Sequence, residues 1–302
     1  VTVVDSIPGT PADRAGLQTG DFLEAIDDVA TRDMPLAYAE ILLRGTPGSE
    51  VKLRVLRVQA GAEPQEVKLR REWLRYPAIE SQLLEGKIGL IRVRSLEPGK
   101  TNEVAQDLRQ LQQRGMQKLI LDLRRAAASE PEEGIKLADM FLNDGLITYV
   151  EGQHYPRKEF KASPDETLWR GPMVVVVNRG TAQGAEIAAA ALLENKRCEL
   201  VGERTYGFAA IRQAIVLQDG SAVILSVAKY HSPSGKAIQD TAVTPTVVEL
   251  AEGGETGEIQ PRAEPPVERD NILQKAIEVL SKATEQVAAG GRSRLEPQRW
   301  PG

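Results

Sequence analysis

The chain has 302 residues, of which 41% are hydrophobic, 27% charged and 4% aromatic, with a net charge of −5. That length carries two domains with a full core in the larger, and the composition is that of an ordinary globular protein. The charge argues against a nucleic-acid or anionic-membrane partner, no apolar run is long enough to span a bilayer, one cysteine (Cys198) excludes an internal disulfide framework, and two histidines (His154 and His231) are too few for a zinc site, so no metal or cofactor is expected.

A strand is already under way at Val1-Thr2-Val3-Val4, with neither an initiator Met nor a signal-like segment, so further residues are expected upstream. Ile7-Pro8-Gly9-Thr10-Pro11-Ala12 then reads as a strand end and turn, Ala15-Gly16-Leu17 as the end of a single helical turn, and Gly20-Asp21-Phe22-Leu23 as a turn launching a second strand. A helix is predicted around Leu36 to Leu43, closed by Arg44-Gly45, before a strand with clean alternation at Val51, Leu53 and Val55. Turn residues and apolar periodicity agree, and together they resemble a PDZ domain of the bacterial protease type. Such domains add a peptide C-terminus as a strand beside their helix, with a loop of backbone N–H groups holding the carboxylate. The resemblance puts that loop before Val1, leaving the helix wall of the groove in this chain.

Val67 to Trp73 alternates like a strand, and Leu74 to Glu85 reads as a connector. Strands are predicted at Ile88 to Val93 and Leu119 to Arg124, with an amphipathic helix from Thr101 to Gly115 between them and another helix from Glu132 to Leu142. Strands crossed over by helices give an α/β body. The unbroken apolar run Met173 to Val177 stops at Asn178-Arg179-Gly180-Thr181, and a small-residue helix carries on from near Ala182 to Asn195. A junction of this kind presents one or two side chains, and the free N–H groups of a helix start, to a cleft where a developing anion could be held. Ala210 to Leu217 and Ala222 to Tyr230 alternate around Asp219-Gly220, a hairpin signal. Residues 251 to 268 are rich in Gly, Glu and Pro and read as a linker, and Asn271 to Val287 reads as one amphipathic helix with Ile272, Ala276, Val279, Leu280 and Ala283 on one side. The last dozen residues are expected to fray. The domain expectation is thus 1–72, 73–250, and a linker with terminal helix over 251–302.

The stretch around Asn178 also resembles the core of the C-terminal processing peptidases, the tail-specific proteases of serine peptidase family S41. There a strand leads into Asn-x-Gly-(Ser/Thr)-Ala-Ser, whose last Ser is the nucleophile, and a second strand into Gly-Glu-x-Thr-(Phe/Tyr)-Gly-Lys-Gly-x-Val-Gln, whose Lys is the base and whose Gln orients it. The frame is intact here in Asn178, Gly180, Thr181, Ala182, Glu186 and Ile187, and again in Gly202, Glu203, Thr205, Tyr206 and Gly207. At the reactive positions the chain departs from it: Gln183 stands at the nucleophile, Phe208 at the base and Arg212 at the orienting Gln. The family's glycine-rich oxyanion loop after Asp-Leu-Arg is replaced by Arg125-Ala126-Ala127-Ala128-Ser129, so the former oxyanion region would comprise Ala128, Ser129 and Gly184.

Gln is no nucleophile for acyl transfer, Phe has no proton to exchange, and the Arg guanidinium stays protonated. The resemblance implies a crotonase/ClpP-like ββα core beside a partial α+β PDZ domain, and work in the cell envelope, in the periplasm of a bacterium. The favoured reading is a silent S41 homologue, a scaffold or adaptor that binds a protein or peptide partner such as an unstructured C-terminal tail. The alternatives are an active serine endopeptidase, with an engineered change at 183 or a rearranged site using Ser129 or Thr181, and a structural subunit of a larger assembly. The resemblance also makes a homo-oligomer plausible. Cys198 reads as a packed thiol, His154 and His231 as surface residues, and Glu186 as a structural partner.

Overall fold

The structure is a computed structural model that describes residues 1–3, 6–7, 9–17, 20–57, 63–217, 222–251 and 266–292. The N-terminal unit holds helix α1 (Pro11–Arg14), strands β1 (Phe22–Ile26) and β2 (Val29–Ala30), helix α2 (Leu36–Leu43), and strands β3 (Glu50–Leu56) and β4 (Gln65–Arg70). The strands form an antiparallel sheet in the order β2-β1-β3-β4. The alternation read at Val51, Leu53 and Val55 is the buried face of β3, which packs with Leu17, Leu23, Ile26 and Ala39 into a small core.

The larger unit begins earlier than its first expected strand. Within the stretch read as a connector, Glu80–Leu84 forms β5, the antiparallel edge of the body sheet against β6 (Ile88–Arg92). As an edge strand of five residues, mostly half-buried, β5 carries none of the apolar contrast that marks a central strand. After β7 (Ser95–Leu96) and helix α3 (Lys100–Gln113) come β8 (Lys118–Asp122), β9 (Ala128–Ser129) and helix α4 (Pro131–Asp139). A hairpin of β10 (Leu146–Gly152) and β11 (Tyr155–Lys161) leads to β12 (Met173–Val177), helix α5 (Gly184–Glu194) and β13 (Glu199–Gly202). The chain continues through β14 (Ala210–Val216), β15 (Ala222–His231), β16 (Val247–Val248) and helix α6 (Asn271–Arg292).

The main sheet runs β16-β13-β12-β8-β6-β5, parallel except at β5. Its central strands are covered on both faces, which is why Met173 to Val177 has no polar alternation and is buried at all five positions. On one face lie α3, α4 and α5, with Leu108, Leu137, Phe141, Ile187 and Ala188 in the larger core. On the other, α6 sets Ile272, Leu273, Ala276 and Leu280 against Leu90, Ile120, Val174, Val176 and Val201. The apolar stripe expected on the terminal helix is therefore a piece of the core; the side chain of Ala283, residues 252–265 and residues 293–302 lie outside the described residues, as does the Asp219-Gly220 turn. A second antiparallel sheet, in the order β11-β10-β15-β14, completes the body, so β14 is a sheet edge.

Two buried polar clusters hold these layers. Arg124 forks onto Asp122 (2.8 and 3.0 Å) and onto Asp270 (2.7 and 3.0 Å), while Asp270 caps α6 by accepting from the Leu273 N–H at 3.0 Å. Burial alone would raise the Asp122 carboxyl, but Arg124 and Arg94 beside it hold it well below the usual carboxylate range. Glu133 of α4 accepts from the Thr101 hydroxyl (2.6 Å), the Thr101 N–H (3.1 Å) and Lys136 (2.8 Å). Against the effect of burial, these donors bring its carboxyl down to about 2. No helix among the described residues is long and apolar enough to cross a membrane.

Candidate functional site

The ends of β8, β12 and β13 meet at one edge of the parallel sheet, where α/β proteins place their crevices. Three turns leave this edge. The turn after β12 is tied down by its own polar residues: Asn178 Oδ1 accepts from the N–H groups of Arg125 (2.9 Å) and Gly180 (3.0 Å), and the Thr181 hydroxyl donates to Leu123 O (2.9 Å) while accepting from Asn178 N–H (3.1 Å). A Cβ on Gly180 would sit 3.0 Å from Arg125 Cα, so the glycine lets the two turns touch.

This packing delivers Gln183 to the start of α5 in a left-handed conformation, φ 55° and ψ −123°. A non-glycine residue there carries strain of about 1–3 kcal/mol, which persists only where the surroundings over-determine it. They do so here. The Gln183 N–H reaches Phe208 O (2.9 Å) and Glu186 Oε2 (3.2 Å), and its side-chain Nε2 lies 3.4 Å from Ala127 O.

Glu186 is the hub of the site. Fully buried on α5, it accepts from the Gly207 N–H (2.7 Å), the Phe208 N–H (2.8 Å), the Gln183 N–H and the Thr205 hydroxyl. Burial pushes its carboxyl above the ordinary value, and the four donors pull the other way. One carboxylate thus fixes position 183 relative to the turn that carries position 208.

Phe208 and Arg212 sit together. The Arg212 guanidinium lies 4.6 Å from the centre of the Phe208 ring, a cation–π contact, and 3.6 Å from Glu40 on α2 of the N-terminal unit. Opposite Ile211 and Arg212 the partners step from Ala228 to Ser226, so Val227 is the extra residue of a bulge in β15 beside the start of β14. The sequence marks both residues singly; their pairing, and Glu40 as a third partner from a distant element, carry no local signal.

The other expected positions are built differently. Ala128–Ser129 is β9, paired in parallel with Ser95–Leu96, and the buried Ser129 hydroxyl donates to Ala126 O at 2.9 Å. Of residues 125 to 129, Arg125 alone has positive φ, 62°. Gly184 packs against Glu130 O, and Gly134 of α4 against Gly184 O, so closely that a Cβ on either would overlap the carbonyl. Gly134 is thereby a helix contact. Cys198 is packed, and burial pushes its thiol up to about 12, far from nucleophilic use. His154 is exposed at the β10–β11 turn, and His231 stacks on Tyr149 at 4.6 Å. Among the described residues no cluster of three or more His, Cys, Asp or Glu could hold a metal ion.

With this geometry in view, the relatives are informative. Residues 87–249 match the model of peptidase family S41, and residues 2–57 that of a PDZ domain. The chain is 35% identical over 251 residues to a carboxyl-terminal-processing protease of Synechocystis sp., covering 82% of this chain and 58% of that protein. It is 31% identical to the carboxy-terminal processing protease CtpA of Bacillus subtilis, covering 82% and 53%. Among solved structures, a photosystem II D1 C-terminal processing protease superposes with a TM-score of 0.72 at 28% identity, over 82% of this chain and 68% of that one. The chain thus spans little more than half the length of these two curated relatives.

Proposed function

The chain belongs to peptidase family S41, with a PDZ domain ahead of the peptidase-like body, and from that premise we propose that it is a catalytically silent member that binds an unstructured protein tail. The observation that carries this reading is the Phe208–Arg212 stack. Where the family resemblance sets a general base and the group that orients it, an aromatic ring and a permanent cation stand in cation–π contact. The frame around them is retained, for Glu186 still ties the start of α5 to the turn at 205–208. Recognition and chemistry make different demands, and a fold can keep the first without the second. A rearranged nucleophile finds little support: the Ser129 and Thr181 hydroxyls are both buried and both donate to backbone carbonyls. Work in the cell envelope belongs to the same proposal.

The competing reading, an active endopeptidase, is favoured by the relatives' name as proteases. Incubating the full chain with an unfolded substrate that ends in an apolar tail, beside the Bacillus subtilis relative, separates the two by mass spectrometry. The expected result is retention of the intact tail. Cleavage would refute silence, and neither cleavage nor retention would point to a structural subunit instead.

A further inference from the structure

The unused hydrogen-bonding capacity of the site is concentrated in Arg212. Its guanidinium carbon lies over the Phe208 ring, 4.6 Å from the centre, a contact that uses none of its N–H donors as a hydrogen bond to oxygen. Among the described residues that fork makes no hydrogen bond. Its acidic neighbour, Glu40, stands at 3.6 Å, beyond hydrogen-bond length, and both side chains are partly open to solvent, at 31% and 41%. Leu36 lies one turn before Glu40 on the same face of α2 and is half exposed. The strand edge at β14 and the helix α2 therefore bring together, at a partly exposed place, a cation, a carboxylate 3.6 Å from it and an exposed leucine one helical turn from that carboxylate.

We propose that Arg212 is a carboxylate receptor: the free C-terminal carboxylate of an extended peptide takes the in-plane fork, displacing Glu40, with the peptide's last side chain against Phe208 and Leu36. This inference rests on the tail-binding reading above and names the group recognised. Three features support it. An arginine fork matches a carboxylate bidentately and is charged at every working pH. The contact with Phe208 restrains the side chain, so less freedom is lost on binding. Finally, Glu40 at its present distance is an internal competitor that a better-placed carboxylate can outbid.

The test is fluorescence anisotropy on the full chain, with a labelled unstructured decapeptide ending in Ala-Leu, as the free acid and as the C-terminal amide. The free acid is expected to bind at least tenfold more tightly than the amide. Arg212→Gln removes that advantage and leaves the amide unchanged, whereas Glu40→Gln tightens the free acid several-fold by deleting the competitor. Far-UV circular dichroism confirms that both substitutions, at partly exposed side chains, leave the fold intact. Equal binding of acid and amide overturns the receptor role while leaving tail binding standing; binding of neither peptide overturns both. An acid preference that survives Arg212→Gln assigns the carboxylate to another element, the PDZ domain first, and overturns this assignment. An amide whose binding is restored by a penultimate Glu shows that any carboxylate serves, and overturns selectivity for the terminal one.

Discussion

Replacing Glu186 by Gln is conservative in shape and is nevertheless predicted to destabilise the body. Oε1 accepts from the Thr205 hydroxyl and the Gly207 N–H, and Oε2 from the Phe208 and Gln183 N–H groups. A carboxamide keeps one acceptor oxygen and must turn its NH2 toward the other pair. In one orientation two backbone N–H groups face that NH2. In the other the Gly207 N–H and Thr205 do, and Thr205 Oγ already accepts from the Val243 N–H at 2.8 Å. In the first the Gln183 N–H keeps Phe208 O at 2.9 Å, so the Phe208 N–H alone loses its acceptor, whereas in the second two buried donors do; at about 1–3 kcal/mol per donor the first is preferred, and the predicted loss for Glu186→Gln is about 1–3 kcal/mol. Urea denaturation of the full chain at neutral pH, followed by circular dichroism, measures it. Hydrogen exchange resolved to the peptide spanning residues 202–210 locates it, since the Phe208 amide should lose protection. A loss below about 1 kcal/mol, with that amide still protected, would refute the assignment of Glu186 as the acceptor that joins the two turns.

Two further outcomes follow from the buried polar clusters. Asp270→Asn keeps an N-cap acceptor for α6 and removes the charge opposite Arg124, so it should cost about 3–5 kcal/mol and open α6 to exchange before the rest of the body; a helix as protected as in the parent chain would count against the pairing. Glu133 has a folded-state pKa depressed to about 2, hence its contribution is present above the unfolded carboxyl range near 4.3 and is lost as pH falls from there through 2. The stability gap between parent and Glu133→Gln should therefore close across that window, and a gap that stays constant down to pH 2 would contradict it.

Much of this architecture is written locally. Helix α2 falls on the residues that the apolar spacing and its Arg44-Gly45 close indicate, and the body's parallel strands announce themselves as continuous apolar runs because both faces are covered. The strand β5 and the β10–β11 hairpin escape the same reading, the first as a half-buried edge and the second because residues 156 to 159 on β11 are exposed. At the site the identities of residues 183, 208 and 212 are legible from the family frame, and Glu186 reads as structural. What the sequence withholds is pairing at a distance: Arg212 meets Glu40 across two units, and Arg124 finds Asp270 at the far end of the chain. Such contacts depend on how layers stack, for which no periodicity exists.

The place of α6 also bears on how the protein is made. Until residues 270–280 have left the ribosome, Leu90, Ile120, Val174, Val176 and Val201 form a bare apolar face, and Arg124 lacks one of its two carboxylates. Body folding during synthesis is thus held open until its closing helix emerges, and for that interval the nascent sheet is a surface for chaperones to cover.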